Sequence, residues 1–234
     1  MSERTERGGL QRIPRPPTAR AGAPPPWAHL TAEQRRFSLA EVRAAAATLP
    51  LPRIAVHPPT ARPSAVLLPF FEQDGAARVI LTKRPDTMPS HQGEIAFPGG
   101  KLEEGTDADL RATALREAHE EIGLDPGLVD VVGELDSLTT VMGRFLLTPF
   151  VGLLPGRPVL VPDAHEVVAV FDHAVSELLD DDAYREERGD IPASLGPEAG
   201  IARPIHFFEL PGETVWGATA RILVEFLRHL TGVR

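Results

Sequence analysis

The sequence predicts an α/β fold in which a mixed β-sheet lies between helices. Short apolar runs with strand character are interspersed, in no strict alternation, with a few helical segments, which is typical of this architecture. Hydrophobic residues make up 42% and charged residues 24% of the 234 residues, as in ordinary globular domains. No apolar run approaches the roughly 18 residues that a membrane-spanning helix needs. We therefore expect a water-facing domain with a sizeable core.

The first 27 residues are predicted to form a flexible tail. This segment is rich in arginine, glycine and proline, with Pro24-Pro25-Pro26 immediately before Trp27. It lacks the apolar central region of a secretory signal, so we expect no export signal here.

Residues 28–60 are predicted to form one helix and a proline-rich linker. Two patterns fit a capping box at the start of the helix, Thr31 with Gln34 and Ser38 with Glu41. The helix therefore begins near Thr31 or Ser38, and it ends before Pro50.

Residues 61–232 carry the remaining elements and are predicted to form the main domain. Two strands, 64–71 and 78–83, flank the turn Gln73-Asp74-Gly75 and so predict a hairpin. Further strands are predicted at 95–97, 129–135, 148–154, 159–161, 167–171 and 205–210. Helices are predicted from Asp107 or Asp109 to Ile122, over 175–179, and over 214–230. Pro98-Gly99-Gly100 is expected to interrupt the chain between the third strand and the first of these helices.

Composition and charge exclude several classes of function. The chain has no cysteine, which rules out disulfides, thiolate catalysis and cysteine metal sites, and suits a reducing, cytoplasmic location. A net charge of −9 argues against general nucleic-acid binding, which needs a basic face. We expect a small anionic substrate, without nucleic-acid or membrane partners, and we leave a homodimer open.

The predicted helix before Gly123 carries the most informative residues. Glu117, Glu120 and Glu121 are spaced i, i+3 and i+4, so they fall on one helical face. The opposite face, which can pack against a sheet, carries Leu115, Ala118 and Ile122. Clustered carboxylates repel one another, and a hard divalent cation such as Mg²⁺ offsets that repulsion while leaving room for a phosphate group.

Together with Gly99-Gly100 upstream, this helix resembles the Nudix box, G-x5-E-x7-R-E-U-x-E-E-x-G-U, where U is aliphatic. The matching positions are Arg116, Glu117, Ala118, Glu120, Glu121, Gly123 and Leu124. The first half departs from the pattern, because 15 residues separate Gly100 from Arg116 where the box has 13. A small loop insertion is implied, and the first acid of the box can be Glu103, Glu104 or Asp107.

The resemblance implies the Nudix fold, an α/β/α sandwich with a mixed sheet, and a requirement for Mg²⁺ or Mn²⁺. It implies that Glu117 and Glu121 are metal ligands, that Glu120 binds a further metal or a water on it, and that a backbone carbonyl near Gly99 completes the set. Arg116 would orient the carboxylates through charge-assisted hydrogen bonds.

The general base is not fixed by the sequence. Glu120 is one candidate. Glu166, at the start of a predicted strand, is another, and it could equally be an ordinary surface acid.

A second stretch resembles the signature of the coenzyme A pyrophosphatase branch of this family. Leu81-Thr82-Lys83-Arg84 is followed by His91-Gln92-Gly93-Glu94-Ile95-Ala96-Phe97-Pro98-Gly99-Gly100, which matches L-T-x-R and H-x-G-x-[IV]-x-F-P-G-G. This implies cleavage of the coenzyme A pyrophosphate to 4′-phosphopantetheine and adenosine 3′,5′-bisphosphate.

The candidate substrate-binding residues all come from this signature: Lys83, Arg84, His91 and Gly100. Lys83 and Arg84 could bind the adenosine 3′-phosphate or form salt bridges at a strand end. His91 could contact a phosphate or shape its own loop.

Two other functions stay open at this point. The chain could hydrolyse another nucleoside diphosphate derivative, such as ADP-ribose or a dinucleotide polyphosphate. It could also be a silent domain that binds a nucleotide as a regulator, although binding alone does not require three clustered carboxylates.

Overall fold

A computed structural model describes residues 7–9, 11, 13–86, 93–140, 143–190 and 202–233. The strands in these ranges are β1 (Arg20–Ala21), β2 (Arg62–Gln73), β3 (Ala76–Lys83), β4 (Ile95–Ala96), β5 (Gly99–Lys101), β6 (Asp130–Glu134), β7 (Leu138–Thr139), β8 (Phe145–Leu153), β9 (Ala169–Ala174), β10 (Tyr184–Asp190), β11 (Ala202–Leu210) and β12 (Glu213–Trp216). The α-helices there are α1 (Leu39–Ala47), α2 (Leu110–Ile122), α3 (Val175–Leu178) and α4 (Gly217–Leu230). None of these helices has the length and apolar character needed to span a bilayer.

The larger sheet has the strand order β4-β3-β2-β8-β6, with β5 also on β2, β7 on β8 and β9 on β3. It is mixed, because β2 and β8 run parallel while the other pairs are antiparallel. Side chains of β2 alternate between two apolar clusters, since successive strand residues face opposite sides. Ala65 and Leu67 pack with α2, whereas Leu68 and Phe70 pack with α1 and α4. The predicted α/β fold with a mixed sheet between helices is confirmed.

The hairpin between β2 and β3 is confirmed at the predicted turn. Gln73 pairs with Ala76, and both turn residues have positive φ, 53° for Asp74 and 73° for Gly75. This is the backbone geometry that favours Asp-Gly in two-residue hairpins.

Helix α2 is confirmed, and its cap is Asp109 rather than Asp107. The Asp109 carboxylate accepts a hydrogen bond from the Ala112 N–H at 2.7 Å. Gly123 ends the helix in the left-handed conformation, with φ 67°. Ala118 and Ile122 are buried against the sheet as expected.

The first helix begins at Ser38, where the capping box with Glu41 is present. Thr31 and Gln34 also exchange hydrogen bonds, but they close an isolated turn that does not continue into a helix.

Two predicted elements were wrong near the active helix. Residues 159–161 form no strand, because the Val161 N–H donates to the Ile122 carbonyl at the end of α2 instead of pairing in a sheet. The expected break after the strand lies at Phe97-Pro98, but Gly99-Gly100 then form a further strand, β5, which pairs Val66 with Gly99 and Ala65 with Gly100.

Two further corrections concern the C-terminal part. The helix predicted over 214–230 starts only at Gly217, because Glu213–Trp216 is a strand that pairs with β11. Its Thr214-Val215-Trp216 core is β-branched and aromatic, which favours a strand. Strand β10 was not predicted, because its alternation is largely charged and lacks an apolar face.

The smaller sheet has the order β1-β10-β11-β12 and includes part of the segment predicted to be a flexible tail. Arg20 pairs with Arg188 of β10, and Trp27 is 0% exposed. Its ring centroid lies 5.1 Å from that of Tyr184. A single buried tryptophan therefore anchors a stretch whose proline and arginine content suggested flexibility.

Candidate active site

The candidate site forms where β5 passes under α2. A Cβ atom added to Gly100 would lie 2.3 Å from the Glu117 carboxyl group, and one added to Gly99 would lie 2.3 Å from the Ala65 carbonyl oxygen. A side chain at Gly99 would clash with backbone, whereas one at Gly100 would displace the Glu117 carboxylate. The Gly99-Gly100 pair thus lets bare backbone approach the carboxylates.

Glu121 is a deeply buried acid of the site. Its side chain has two polar neighbours. The Gly99 N–H donates to Oε2 at 3.2 Å, and the Arg84 guanidinium lies 3.7 Å from Oε1. The residue is 3% exposed. The sequence placed it on an open face, so this burial is a correction.

Burial raises the pKa of Glu121 to about 8. The Gly99 hydrogen bond and the Arg84 charge oppose this shift, whereas the negative charges of Glu117 and Glu166 add to it. A buried carboxyl beside other acids favours its neutral form unless positive charge is supplied.

Arg116 ties the acids of the site together. Its guanidinium donates to Glu120 Oε2 at 2.7 Å, to Glu117 Oε1 at 3.1 Å and to the Lys101 carbonyl at 3.1 Å. It also makes a two-point contact with Asp107, with Nε–Oδ1 at 2.8 Å and Nη2–Oδ2 at 3.0 Å. These are the contacts that an orienting arginine requires.

Of the three acids considered for the first position of the box, Asp107 is the one that pairs with Arg116. Its side chain is 2% exposed and also accepts from the Glu103 N–H and the Thr113 hydroxyl, both at 2.9 Å. The Arg116 hydrogen bond is the main reason that its pKa is lowered to about 2. Glu103 and Glu104 are exposed. The sequence could have found Asp107 if one extra residue had been allowed on each side of it.

Glu117, Glu120 and Glu166 complete the acidic group. Burial raises the pKa of Glu117, and the charges of Glu120 and Glu166 add to the shift while Arg116 opposes it. The Glu120 side chain is 56% exposed. Glu166 lies on a loop that α2 holds, because the Asp163 N–H donates to the Glu121 carbonyl and the Glu166 N–H donates to the Asp163 carbonyl. The charge of Glu166 thus acts on both Glu117 and Glu121.

The donor set fits a hard divalent cation by its chemistry. Carboxylate oxygens are the ligands that such a cation prefers. The Glu117 carboxylate lies against the bare backbone of Gly100, where a side chain would displace it. The raised pKa values of Glu117 and Glu121 show that the site lacks positive charge. Within the described ranges, however, no three acidic or histidine side chains are already arranged to hold a metal ion. The Glu120 carboxylate is instead turned toward Arg116.

The cations of the upstream signature are engaged by carboxylates. Lys83 Nζ pairs with Glu213 of β12, which is the strand-end salt bridge considered above. Arg84 forms an ion pair with Glu121 of the carboxylate site. His91 lies outside the described residues, so its predicted role stays a prediction.

Comparison with known proteins identifies a match to the NUDIX domain model over residues 61–192. Nudix hydrolase 22, chloroplastic, of Arabidopsis thaliana is 44% identical over 170 residues, which cover 69% of this chain and 53% of that protein. A protein named uncharacterized Nudix hydrolase NudL from Enterobacter sp. strain 638 is 37% identical over 174 residues, covering 70% of this chain and 80% of the relative. The chain thus spans about half the length of the plant relative.

Among solved structures, a MutT/nudix family protein from Enterococcus faecalis superposes with a TM-score of 0.48 at 15% identity. The superposition covers 86% of this chain and 72% of that one.

Proposed function

This chain belongs to the NUDIX domain family, and we propose that it hydrolyses the pyrophosphate bond of coenzyme A or of a coenzyme A derivative. The products are 4′-phosphopantetheine and adenosine 3′,5′-bisphosphate. One observation carries the proposal: the two stretches of family resemblance meet on a single carboxylate. Arg84 and Gly99, both from the coenzyme A signature, contact Glu121 of the box.

The site residues form two groups, those that would bind the metal ion and those that position the metal-binding side chains. Glu117, Glu121, Glu120 and the Gly99 carbonyl would hold Mg²⁺ or Mn²⁺. When bound, such a cation neutralises phosphate oxygens and makes water a better nucleophile. Asp107 fixes the Arg116 guanidinium, and Arg116 in turn positions the Glu117 and Glu120 carboxylates.

The general base that accepts a proton from the attacking water is Glu120 or Glu166. Glu120 is held by Arg116, whereas Glu166 stands on the loop that α2 anchors. Glutamine at the acceptor should lower kcat and remove the acidic limb of the pH–rate profile, because the limb reports ionisation of the base. If the limb survives in both variants, neither residue is the base.

Product analysis tests the proposal directly. The protein is incubated with coenzyme A and Mg²⁺, and the products are separated and weighed by mass spectrometry. We expect equal amounts of 4′-phosphopantetheine and adenosine 3′,5′-bisphosphate, with no turnover in EDTA.

Two substrates serve as the comparison, ADP-ribose and a dinucleoside polyphosphate. A higher kcat/KM for either of them would replace coenzyme A as the substrate. Tight nucleotide binding without Mg²⁺-dependent turnover of any of the three would instead indicate a regulator.

A further inference from the structure

A cleft of about 480 Å³ opens at the end of the large sheet that carries β5. Arg62, Arg144 and Phe145 line it, together with Pro58, Thr60 and Gly143. The two arginines come from bonded segments, because the Arg62 N–H donates to the Arg144 carbonyl at 2.9 Å. Their relative position is therefore set by the backbone.

The charges at this cleft are not balanced by acids. Arg62 and Arg144 form no ion pair with any carboxylate in the described part of the chain, and neither does Lys101. Lys101 lies beside the cleft, with Nζ 6.0 Å from the centre of the Phe145 ring. In a chain with a net charge of −9, three cations without a carboxylate partner around one cleft create a local anion-attracting field.

The cleft adjoins the carboxylate site through β5. Lys101 pairs with Ser64 of β2, and Phe145 pairs with Arg62 of the same strand. Because Arg62 and Ser64 are two residues apart on β2, the side chains of Lys101, Arg62 and Phe145 share one face of the sheet. Gly100, the next residue back, faces Glu117 on the other side. Lys101 therefore contacts both sites, because its carbonyl accepts from Arg116 of the carboxylate site while its side chain lies beside the cleft.

The outer edge of β5 gives a ligand a route between them. Among the described strands β5 pairs only with β2, so its other edge has no strand partner there. A substrate lying across this edge can present its pyrophosphate to the α2 carboxylates and another anionic group to the arginines.

The cations first expected to bind the 3′-phosphate are held by acids. Lys83 pairs with Glu213, and Arg84 neutralises part of the charge on the buried Glu121. Moving either one to a phosphate would leave a partly or fully buried carboxylate without its cation, which is costly. Arg62 and Arg144 can bind a phosphate without breaking an ion pair to a carboxylate of the described residues.

From these observations, and resting on the proposed function, we propose that the cleft between Arg62 and Arg144 binds the phosphomonoester of the substrate, the 3′-phosphate on the ribose of coenzyme A. Arginine suits this group because its planar fork of N–H donors matches phosphate oxygens. Phe145 offers an apolar wall beside them.

The test compares coenzyme A with dephospho-coenzyme A, which lacks only the 3′-phosphate. For Arg62→Ala and for Arg144→Ala, we expect KM for coenzyme A to rise about tenfold with kcat unchanged, as for loss of one charge-assisted hydrogen bond. KM for dephospho-coenzyme A should stay within about twofold of wild type, because the lost partner is absent from that substrate.

Arg36→Ala is the matched control. Arg36 is exposed and forms no ion pair among the described residues. The carbonyl of its neighbour Phe37 accepts from the Ala77 N–H of β3 beside the β2–β3 hairpin, at the far end of β2 from Arg62. It removes the same charge and should change KM for neither substrate. Equal shifts for both substrates in the cleft variants, or no shift, would overturn the inference.

The outcome for wild type separates this inference from the proposed function. If wild type cleaves neither substrate, the proposed function fails, and the cleft is tested by calorimetry with adenosine 3′,5′-bisphosphate and AMP. We then expect Arg62→Ala to weaken binding of the bisphosphate alone. Equal affinity of wild type for the two nucleotides would overturn the inference as well.

Discussion

The site under α2 and the aromatic cluster of the small sheet hold ionisable groups in opposite ways. Under α2, the buried Glu121 is kept by one backbone N–H and one distant guanidinium, and burial raises its pKa to about 8. In the small sheet, His206 accepts or donates at 2.7 Å to the Tyr184 hydroxyl beneath Trp27, and burial lowers its pKa to about 4. Burial favours the neutral form of both groups, but Glu121 lies beside further acids, whereas His206 has the uncharged Tyr184 hydroxyl as its hydrogen-bond partner.

The comparison teaches that activity and stability should be separable in this molecule. The α2 site gathers carboxylates that oppose folding when ionised. The aromatic cluster buries large apolar rings, which favours folding. Substitutions in the two regions should therefore affect different measurements.

The largest effect is expected from Glu121→Gln. It removes the charge of a proposed metal ligand without changing volume, so kcat for coenzyme A should fall by two to three orders of magnitude or more. The melting temperature at pH 7 should not fall, because a neutral amide is easier to bury than a carboxylate. Steady-state kinetics and thermal unfolding check both points.

Glu225→Gln is the control for that substitution. Glu225 is another partly buried carboxyl whose pKa is raised by burial, but it lies on α4, where it accepts from the Asp136 N–H. Its glutamine variant should keep wild-type kcat. A loss of activity in both variants would mean that buried acids matter here only for folding.

Trp27→Ala should have the converse effect. Deleting a fully buried tryptophan removes about 3–5 kcal/mol from the free energy of unfolding. The remaining folded protein should keep its kcat, because Trp27 packs with Tyr184 and Phe208 rather than with α2. Urea denaturation gives the first quantity and kinetics in buffer the second. A parallel fall in kcat would show that the two regions are coupled.

Asp107→Asn should affect both measurements to a smaller extent. Loss of the charged two-point contact frees Arg116 to shift, and orienting residues of this kind typically contribute about 10–100-fold to activity. Breaking one side of a buried ion pair also destabilises by about 3 kcal/mol. Glu104→Gln, an exposed acid of the same loop, should leave kcat and stability unchanged. If Glu104→Gln lowers kcat as much, Asp107 is not the first acid of the box.

The last expected effect is a pair of pH dependences with opposite sign, measured by urea unfolding in EDTA. Glu121 has a higher pKa folded than unfolded, so its contribution lowers stability as pH rises from about 4.5 toward 8. His206 has a lower pKa folded, so its contribution lowers stability as pH falls from about 6.5 toward 4. Each pKa unit corresponds to about 1.4 kcal/mol at most.

Glutamine variants should remove the two dependences one at a time. Glu121→Gln should flatten the decline above pH 4.5, and His206→Gln should flatten the decline below pH 6.5. If either variant retains the wild-type curve, the burial of that group does not govern stability.

The sequence predicted most of what local chemistry determines. The Asp-Gly hairpin, the Ser38 capping box, the Asp109 cap and the Gly123 stop each depend on residues within a few positions of one another, and each is confirmed. The α/β fold and the family followed from patterns of the same kind.

What the sequence did not predict depends on contacts between distant segments. Nothing near Glu121 indicates that Gly99 would bury it, and nothing near Arg20 indicates a partner in β10. Strand β5 has two glycines, whose weak strand preference is overridden by pairing with β2. The place of Asp107 was hidden only by the insertions around it.

Strand β1 has a consequence for how the chain is made. The Asp190 N–H donates to the Thr18 hydroxyl across 172 residues, so the docked segment leaves the ribosome long before its partner strand exists. At typical rates of translation this interval lasts roughly 10 to 30 s. Trp27 therefore has no native aromatic partner until Tyr184 of β10 and Phe208 of β11 have been synthesised.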